Sequence, residues 1–193
     1  MTANFAVPAR NPEDLPGAIS DTGTVDIDIR RAHADELALL PGIEIASGEC
    51  FREIGMAWVA DDDPLPLPRL TAAHHRGDVR VAAAAAPVAF VVTAPLDDAV
   101  HIEQISVHPA HARRRIGAAL IEHVAEAARA QGAAALTLTT FGDVPWNAPY
   151  YARLGFRELP ASRCTAGLAE LTREEARRGL AAERRVAMRR ALH

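Results

Sequence analysis

Lysine is absent from this chain, and cysteine and aromatic residues are scarce. All 21 basic residues are therefore arginines, and the 25 acidic residues leave a formal net charge of -4, which argues against general binding to nucleic acids. The two cysteines, Cys50 and Cys164, are far apart and lack the spacing of a zinc site. Two isolated cysteines also argue against a disulfide framework, so we expect reduced thiols in a cytoplasmic protein.

Long apolar runs are missing as well. The longest, Val81 to Ala94, is interrupted by Pro87 and is too short for a membrane span, which needs about 20 residues. The N-terminus lacks the charged start and the apolar stretch that mark a signal peptide. We therefore predict no membrane partner.

Size and composition predict a single domain. A chain of 193 residues, 49% of them hydrophobic, can bury a sizeable core. Residues 1–23 carry several prolines and glycines and few large apolar side chains, so we predict a disordered extension there. Residues 24–193 would then form one domain.

Apolar periodicity predicts a mixture of strands and helices. The predicted strands are residues 25–30, two strands within 79–93 that turn near 86–87, and residues 101–107, 135–141, 156–159 and 186–190. The predicted helices are residues 34–58 with a break at 41–42, residues 69–76, the segment from 117 to 132, a short helix between 147 and 155, and residues 168–182. A turn is predicted at residues 95–98.

The strongest functional signal is the segment 108–117, His-Pro-Ala-His-Ala-Arg-Arg-Arg-Ile-Gly. A predicted strand, Ile102 to Val107, precedes it, and an amphipathic helix rich in alanine and leucine follows Gly117. The first N–H groups of a helix lack intrahelical partners, the helix dipole favours anions, and arginine adds forked donors for phosphate oxygens. The pattern predicts a site for a phosphorylated ligand, and its alternative is a solvated arginine-rich surface.

A third segment, Tyr150-Tyr151-Ala152-Arg153-Leu154-Gly155-Phe156, follows the strand and the arginine turn in order. Together the three segments resemble the GNAT superfamily of acetyl-CoA-dependent N-acetyltransferases, over roughly residues 25–190. The resemblance implies an α/β (α+β) fold with a mixed, mostly antiparallel central sheet flanked by helices. It also implies that two neighbouring strands, 101–107 and 135–141, splay apart to form a cleft.

The same resemblance implies how acetyl-CoA would bind as a co-substrate. The pantetheine arm would lie between the splayed strands and pair with backbone groups of Ile105, Ser106 and Val107. Asn147 would hydrogen-bond to the cofactor, although it is equally suited to cap the helix that follows it. The pyrophosphate would lie at the turn formed by Arg113, Arg114, Arg115, Ile116, Gly117 and Ala118.

This turn departs from the family pattern, Arg/Gln-x-x-Gly-x-Gly/Ala. Aligned on Gly117, the chain has Ala112 at the first position and Arg115 where the first glycine is expected. Backbone N–H groups make most of the contacts of such a turn, so we still expect cofactor binding, with Arg113 or Arg114 supplying the missing charge. The backbone at Arg115 must then allow the close approach that glycine normally permits.

The implied reaction is acetyl transfer to a primary amine by direct attack in a ternary complex. An alkyl amine with a pKa of about 10.4 is protonated at neutral pH, and Glu103, on the strand beside the thioester, is the candidate base. A β-bulge would decide whether Glu103 or Gln104 faces the cleft, and an exposed strand carboxylate is the alternative. An N–H group near Val107 would stabilise the oxyanion.

By family position, Tyr151 is the candidate general acid for the departing thiolate, and Tyr150 is a core or cleft-wall aromatic. The alternative for Tyr151 is a packed helix residue whose hydroxyl lies at a surface. His108 and His111 occupy a turn without a third ligand at suitable spacing, so no metal is predicted.

Two functions are compatible with the sequence. The first is the N-acetyltransferase, acting on a small-molecule or peptide amine whose identity the sequence does not define. The second is a non-catalytic acyl-CoA-binding or regulatory module on the same fold, because the phosphate turn is altered. A homodimer is open in either case.

Overall fold

A computed structural model describes residues 27–177 and 185–192. The strands are β1 (Asp28–Arg31), β2 (Val79–Ala83), β3 (Pro87–Leu96), β4 (Ala99–Val107), β5 (Ala135–Phe141), β6 (Arg157–Leu159) and β7 (Arg185–Ala191). The α-helices are α1 (Leu40–Gly48), α2 (Ala57–Ala60), α3 (Leu67–Arg76), α4 (Ile116–Ala130), α5 (Ala148–Arg153) and α6 (Ala166–Arg177). Short 3-10 turns cover Ala34–Leu39, Glu49–Ile54, Pro109–His111 and Ala161–Arg163.

The predicted disordered extension, residues 1–23, lies outside the described residues and stays a prediction. The end of the helix predicted for residues 168–182 also lies outside them.

All seven strands form one sheet in the order β1-β2-β3-β4-β5-β7-β6. Every neighbouring pair is antiparallel except β4 and β5, which are parallel. The last strand, β7, is inserted between β5 and β6. With helices on both faces, this is the mixed, mostly antiparallel fold that the sequence predicted, so the fold class is confirmed.

Strand alternation places two apolar clusters on opposite faces of the sheet. On one face, Leu120 of α4 packs in a cluster with Val91 of β3. On the other face, Leu70 of α3 packs in a cluster with Phe90. Phe90 and Val91 are chain neighbours on opposite faces because successive strand side chains point to opposite sides.

Helix α4 confirms the helix predicted after the arginine turn. Ile116, Leu120 and Val124 recur every four residues and are buried against the sheet. The helix is followed by Gly132 in the left-handed conformation, with φ 78°, which suits glycine after a helix end. None of the helices among the described residues is long and apolar enough to cross a membrane.

Prolines lie close to two helix boundaries that differ from the predicted ones by one or two residues. The break predicted near residues 41–42 lies at residues 39–40, where the 3-10 segment Ala34–Leu39 gives way to α1, and Pro41 lies in the first turn of α1. Helix α3 begins at Leu67 rather than at Arg69, with Pro68 in its first turn. Proline is tolerated at these positions because its missing N–H would have no intrahelical acceptor there.

Candidate active site

The sheet opens between β4 and β5. The two strands pair only through Ala99–His101 and Ala135–Thr137. Beyond these residues β4 continues to Val107 and β5 to Phe141, without pairing to each other. We call this gap the β4–β5 cleft. Backbone groups removed from water need hydrogen-bond partners, so the open edge of β4 suits an extended ligand that pairs with it as a strand would.

The three predicted backbone contacts lie on this open stretch. Ile105, Ser106 and Val107 are all buried. Ile105 and Val107 belong to the cluster under α4, whereas the Ser106 hydroxyl points to the other face, where it lies 3.1 Å from the Ser47 hydroxyl of α1. The side chains of these three residues therefore pack in the protein interior. Their backbone N–H and C=O groups are the groups that a ligand in the cleft can contact.

A bulge interrupts β4 at Glu103. Val92 of β3 pairs with Gln104 while Thr93 pairs with Ile102, so Glu103 is an extra residue in the ladder. Such an extra residue changes which side chains share a face. The bulge that the sequence prediction left open is therefore present.

The Glu103 carboxylate is half-buried and paired with one arginine. Its Oε1 accepts a hydrogen bond from Nη2 of Arg69 in α3 at 2.9 Å, and 18% of the side chain is exposed. Its Oε2 has no hydrogen bond to any of the described residues. Oε1 therefore accepts a hydrogen bond from Arg69, and Oε2 can accept one from another donor.

Gln104 is a neighbouring residue that sequence reasoning treated only as an alternative to Glu103. It is fully buried, and its Nε2 donates to Ser106 Oγ at 2.9 Å. Its Oε1 is buried and has no partner within the described part of the chain. An unpaired buried amide oxygen beside the open stretch of β4 is an acceptor that a ligand N–H can satisfy.

The arginine turn has an unusual backbone. Arg113 and Arg115 both adopt positive φ angles, 63° and 60°, in the left-handed region. A non-glycine residue there costs about 1–2 kcal/mol. Arg115 occupies the position where the family has glycine, so the chain keeps the glycine-like conformation with a different residue. Left-handed residues in such turns direct successive N–H groups to one side and form an anion-binding concavity.

The start of α4 lacks a side-chain cap from its N-cap residue. Arg115 is the N-cap of α4 and makes no capping hydrogen bond with its side chain. Arg114 and Arg115 are exposed. The first-turn N–H groups of α4, at Ile116, Gly117 and Ala118, have no intrahelical acceptor and are available to an anion.

Gly117 lies where three elements meet. A Cβ at this position would be 3.0 Å from the Tyr150 hydroxyl and 3.6 Å from Val107 Cγ2. A larger side chain would therefore press on α5 and on the end of β4. The Tyr150 hydroxyl therefore lies beside the arginine turn. Burial raises the pKa of Tyr150, while the charges of Arg153 and Arg115 act in the opposite direction.

Tyr151 is fully buried in the cluster under α4. Its ring packs against Phe156 and Tyr150, with ring centroids 5.8 Å and 5.5 Å away. Its hydroxyl is buried and has no hydrogen-bond partner among the described residues, so it does not lie at a surface. Burial strongly raises the pKa of Tyr151, so the hydroxyl keeps its proton at neutral pH.

Asn147 precedes α5 at the N-cap position but does not cap it with its side chain. Its backbone angles, φ -107° and ψ -105°, lie outside the extended region in which capping side chains reach the helix N–H groups. The residue is fully buried, and neither Oδ1 nor Nδ2 has a partner within the described ranges. Capping therefore does not account for this side chain, and a bound ligand would satisfy it.

Arg185 is a buried charge that sequence reasoning missed. Its Nη2 donates to Thr139 Oγ1 at 2.8 Å and to Glu175 Oε1 at 3.0 Å, and its guanidinium carbon lies 5.0 Å from the Phe141 ring centroid. Thr139 and Phe141 belong to the open stretch of β5. The sequence offered no signal, because the segment around Arg185 contains several arginines.

A neighbouring histidine is held neutral by burial. His101 closes the paired end of the cleft, with its Nδ1 3.0 Å from Thr137 Oγ1. Burial and, to a smaller extent, the positive charge of Arg185 lower the pKa of His101 to about 4. His101 is therefore uncharged at neutral pH.

The rings of the two histidines of the turn pack edge to face. The rings of His108 and His111 lie 6.2 Å apart, and His108 Nδ1 accepts from the Ala110 N–H at 3.3 Å. Within the residues that the structure describes, no group of three or more His, Cys, Asp or Glu side chains is arranged to hold a metal ion.

Comparison with known proteins identifies the class. The model of the GNAT acetyltransferase family matches residues 46–156, which is more than half of the chain. The matched segment contains the bulged strand, the arginine turn, α4 and α5. The chain belongs to the GNAT acetyltransferase family.

Solved structures show the same fold at low identity. N-acetylglutamate synthase from Neisseria gonorrhoeae, complexed with coenzyme A and N-acetyl-glutamate, is similar with a TM-score of 0.62 and 16% identity. That match covers 89% of this chain but only 36% of the synthase, so the chain spans about a third of that protein's length.

Two further structures match over nearly their whole length. PaiA N-acetyltransferase from Thermoplasma acidophilum, in complex with coenzyme A, has a TM-score of 0.61 and 13% identity, over 86% of this chain and 99% of its own. The ribosomal-protein-S18-alanine N-acetyltransferase from Escherichia coli has a TM-score of 0.57 and 20% identity, over 86% of this chain and 94% of its own.

Proposed function

We propose that this protein is an acetyl-CoA-dependent N-acetyltransferase that transfers an acetyl group to a primary amine by direct attack in a ternary complex. The observation that carries the proposal is the combination of an open β4–β5 cleft with a left-handed arginine turn at the start of α4. Membership of the GNAT acetyltransferase family and the CoA complexes of the similar structures support the same conclusion.

The described residues fit coenzyme A. The open edge of β4 at Ile105, Ser106 and Val107 would hold the extended pantetheine arm, and the N–H groups at residues 113–118 would hold the pyrophosphate. Buried polar atoms without partners cost about 1–3 kcal/mol each, and Asn147 and Gln104 present such atoms. Hydrogen bonds to the cofactor's amide groups would remove that cost on binding.

Glu103 would accept the proton of the amine. Its Oε2 lacks a partner among the described residues, and Arg69 donates a hydrogen bond to its Oε1. An ammonium group that reaches Oε2 can transfer its proton directly or through one water molecule. Arg69 would keep the carboxylate oriented while the proton moves.

Tyr151 would supply the proton that leaves with the thiol. Acetyl-CoA, when bound, supplies an activated acetyl group whose transfer releases a thiolate. The raised pKa keeps the Tyr151 proton on its oxygen, and the hydroxyl has no partner among the described residues that would compete for that proton. Its O–H would donate a hydrogen bond to the departing sulfur and pass its proton to that sulfur as the C–S bond breaks.

The acceptor would be a small-molecule or peptide amine. It would approach from the face of α1 and α3, because the Glu103 carboxylate contacts α3 and the Gln104–Ser106 pair contacts α1. Both a free amino acid and a peptide N-terminus carry an amine of the required kind, so the panel of acceptors must include each of them.

Release of free thiol distinguishes an N-acetyltransferase from a non-catalytic acyl-CoA-binding module. Purified protein is incubated with acetyl-CoA and with single amines from a panel of amino acids, polyamines and short peptides, and thiol is followed over time. The enzyme predicts thiol release that depends on one class of amine and is absent without it. Binding of acetyl-CoA in calorimetry without thiol release on any amine would instead favour the acyl-CoA-binding module.

A further inference from the structure

A second cavity lies on the face of the sheet that α4 covers, at the far end of α4 from the arginine turn. Its volume is about 260 Å³, and it is lined by the ends of β1, β2 and β3 and by the last turns of α4. Helix α4 has 15 residues and rises about 1.5 Å per residue, so the cavity is roughly 20 Å from the phosphate turn. The two sites are separate.

Arginines dominate the polar lining of this cavity. Arg31, Arg76 and Arg80 line it, and Asp78 is the single carboxylate among the lining residues. Asp78 accepts a hydrogen bond from Arg76 Nε at 2.7 Å, which neutralises one of the three charges. Arg31 and Arg80 are left as two positive charges without an ion pair to a described residue.

Arg80 forms the buried floor of the cavity. Only 7% of the residue is exposed, and its Nε is buried without a hydrogen-bond partner in the described part of the chain. Burial lowers the pKa of Arg80, the charge of Arg31 lowers it further, and the Asp78 carboxylate offsets part of this effect. A buried guanidinium without an ion pair to a carboxylate is unfavourable unless an anion reaches it.

Arg31 adds a second positive charge beside Arg80. It pairs directly opposite Arg80 across the antiparallel β1–β2 ladder, where two like charges repel each other. Its guanidinium lies over Gly77, and a Cβ there would be 3.1 Å from Arg31 Cζ. Glycine at this left-handed position therefore leaves room for the guanidinium beside the cavity mouth.

The end of α4 supplies part of the compensation. The carbonyl groups of a helix C-terminus carry a partial negative charge, and an adjacent cation gains about 0.3–1 kcal/mol from it. Gln131 and the last residues of α4 line the cavity, so they offset some of the repulsion. They make no hydrogen bond to Arg80 Nε.

We propose that this cavity is a binding site for a small oxyanion, a phosphate or a carboxylate, held by Arg80 at its floor and by Arg31 and Arg76 at its mouth. Arginine presents paired donors that match the oxygens of both groups. A volume of 260 Å³ equals that of about eight water molecules, which is enough for a small organic anion but not for a nucleotide cofactor. The proposal is independent of the acetyltransferase reaction.

The test measures anion binding in the absence of acetyl-CoA. Inorganic phosphate and succinate are titrated separately into the full-length protein, with potassium chloride at matched ionic strength as the control, and both the melting temperature and the heat of binding are recorded. At least one anion should raise the melting temperature beyond the chloride control, since a ligand that binds only the folded state stabilises it. If only phosphate or only succinate raises the melting temperature, that result identifies which oxyanion the site prefers.

Variants locate the effect. Arg80→Met should weaken the anion's affinity by about tenfold or more, because it removes charge-assisted hydrogen bonds, and it should raise the melting temperature without anion by removing the buried unpaired charge. Arg31→Gln, at the exposed mouth, should also weaken binding and serves if Arg80→Met does not fold. The double variant Arg113→Ala with Arg114→Ala should leave the anion effect unchanged.

Either of two results overturns the proposal. The first is that neither anion exceeds the chloride control in the wild-type protein. The second is that the anion effect persists undiminished in the folded cavity variants, whatever the Arg113 and Arg114 double variant does, because the anion would then bind outside the cavity, for example at the backbone N–H groups of the arginine turn.

Discussion

At the residue scale, two adjacent tyrosines have different surroundings. Tyr151 is fully buried, and its hydroxyl has no hydrogen-bond partner among the described residues, whereas the Tyr150 hydroxyl lies against the arginine turn at Gly117. A sequence pattern cannot separate neighbours of the same type, and only the position relative to Gly155 favoured Tyr151. Their different environments come from the way α5 packs against β4 and α4, which is a tertiary property.

The two tyrosines can be separated by deleting one oxygen at a time. Tyr151→Phe should lower kcat by about 100-fold or more with little change in KM for acetyl-CoA, because it removes the proton donor and keeps the ring. Tyr150→Phe should act mainly on KM for acetyl-CoA, since its hydroxyl is at the turn. Steady-state kinetics on both variants makes the comparison. A normal kcat for Tyr151→Phe would remove that residue from catalysis.

Glu103 is testable through the pH dependence of the reaction. Glu103→Gln should slow turnover near neutral pH by about 10²–10⁴-fold if the carboxylate is the base. The loss should shrink towards about pH 10, where the free amine forms without help. Glu122→Gln is the matched control, because Glu122 is also paired with an arginine, Arg190, but lies on α4 outside the cleft. A loss that is equal at all pH values would assign Glu103 to acceptor positioning.

His101 makes the stability of the fold sensitive to acid. Its pKa is about 4 in the folded protein and about 6.5 when unfolded, so between these values the unfolded chain binds a proton that the folded chain does not. The contribution of His101 to the free energy of unfolding should therefore fall by about 3 kcal/mol as the pH drops through this window, measured as the difference between the wild type and His101→Gln. Urea unfolding at several pH values measures the change.

Variants of two histidines separate the contribution of His101 to the pH dependence of stability from those of other titrating groups. Glu44 acts in the opposite direction, because burial raises its pKa to about 7 and stability from that carboxyl is lost as the pH rises through the window between about 4.5 and 7. His101→Gln should abolish the loss assigned to His101, whereas His75→Gln, at an exposed residue, should not. An unchanged pH dependence in His101→Gln would contradict the assignment.

At the element scale, the backbone and the side chains of the arginine turn can contribute differently to binding. Arg115 holds a left-handed backbone that costs a non-glycine residue about 1–2 kcal/mol. The sequence showed that a glycine of the family pattern is missing, but it could not show that the turn keeps the glycine-like conformation.

Arg115→Gly and Arg115→Ala form a matched pair, because both remove the same charge and only glycine fits φ 60° without strain. Arg115→Gly should be about 1 kcal/mol more stable than Arg115→Ala in urea unfolding. In calorimetry, Arg115→Gly should bind CoA at least as tightly as Arg115→Ala does. If the two variants bind CoA equally weakly compared with the wild type, the arginine charge rather than the backbone is what the turn contributes.

Local elements were largely predictable, and their assembly was not. Apolar periodicity predicted α4 because Ile116, Leu120 and Val124 repeat at helical spacing. By contrast, the insertion of β7 between β5 and β6 depends on which strand edges are free once the sheet forms. The pairing of Phe141 with Arg185 joins distant parts of the chain, and nothing in either local sequence specifies it.

At the scale of the whole molecule, one helix separates two positively charged sites. The start of α4 carries the arginine turn, and its end borders the cavity of Arg31, Arg76 and Arg80. The formal net charge of -4 gives no sign of either group of arginines, so composition alone did not indicate the second cavity. Only the pairing of β1 with β2 brings Arg31 opposite Arg80.

The most direct test of the central claim follows the acetyl group itself. The protein is incubated with isotopically labelled acetyl-CoA, first alone and then with an amine that supports thiol release, and both protein and amine are examined by mass spectrometry. Direct attack in a ternary complex predicts no acetyl adduct on the protein and a labelled acetyl group on the amine, equal in amount to the thiol released. A thiol burst with an acetylated active-site residue in the absence of amine would contradict direct attack, and labelled acetate without acetylated amine would contradict N-acetyltransferase activity.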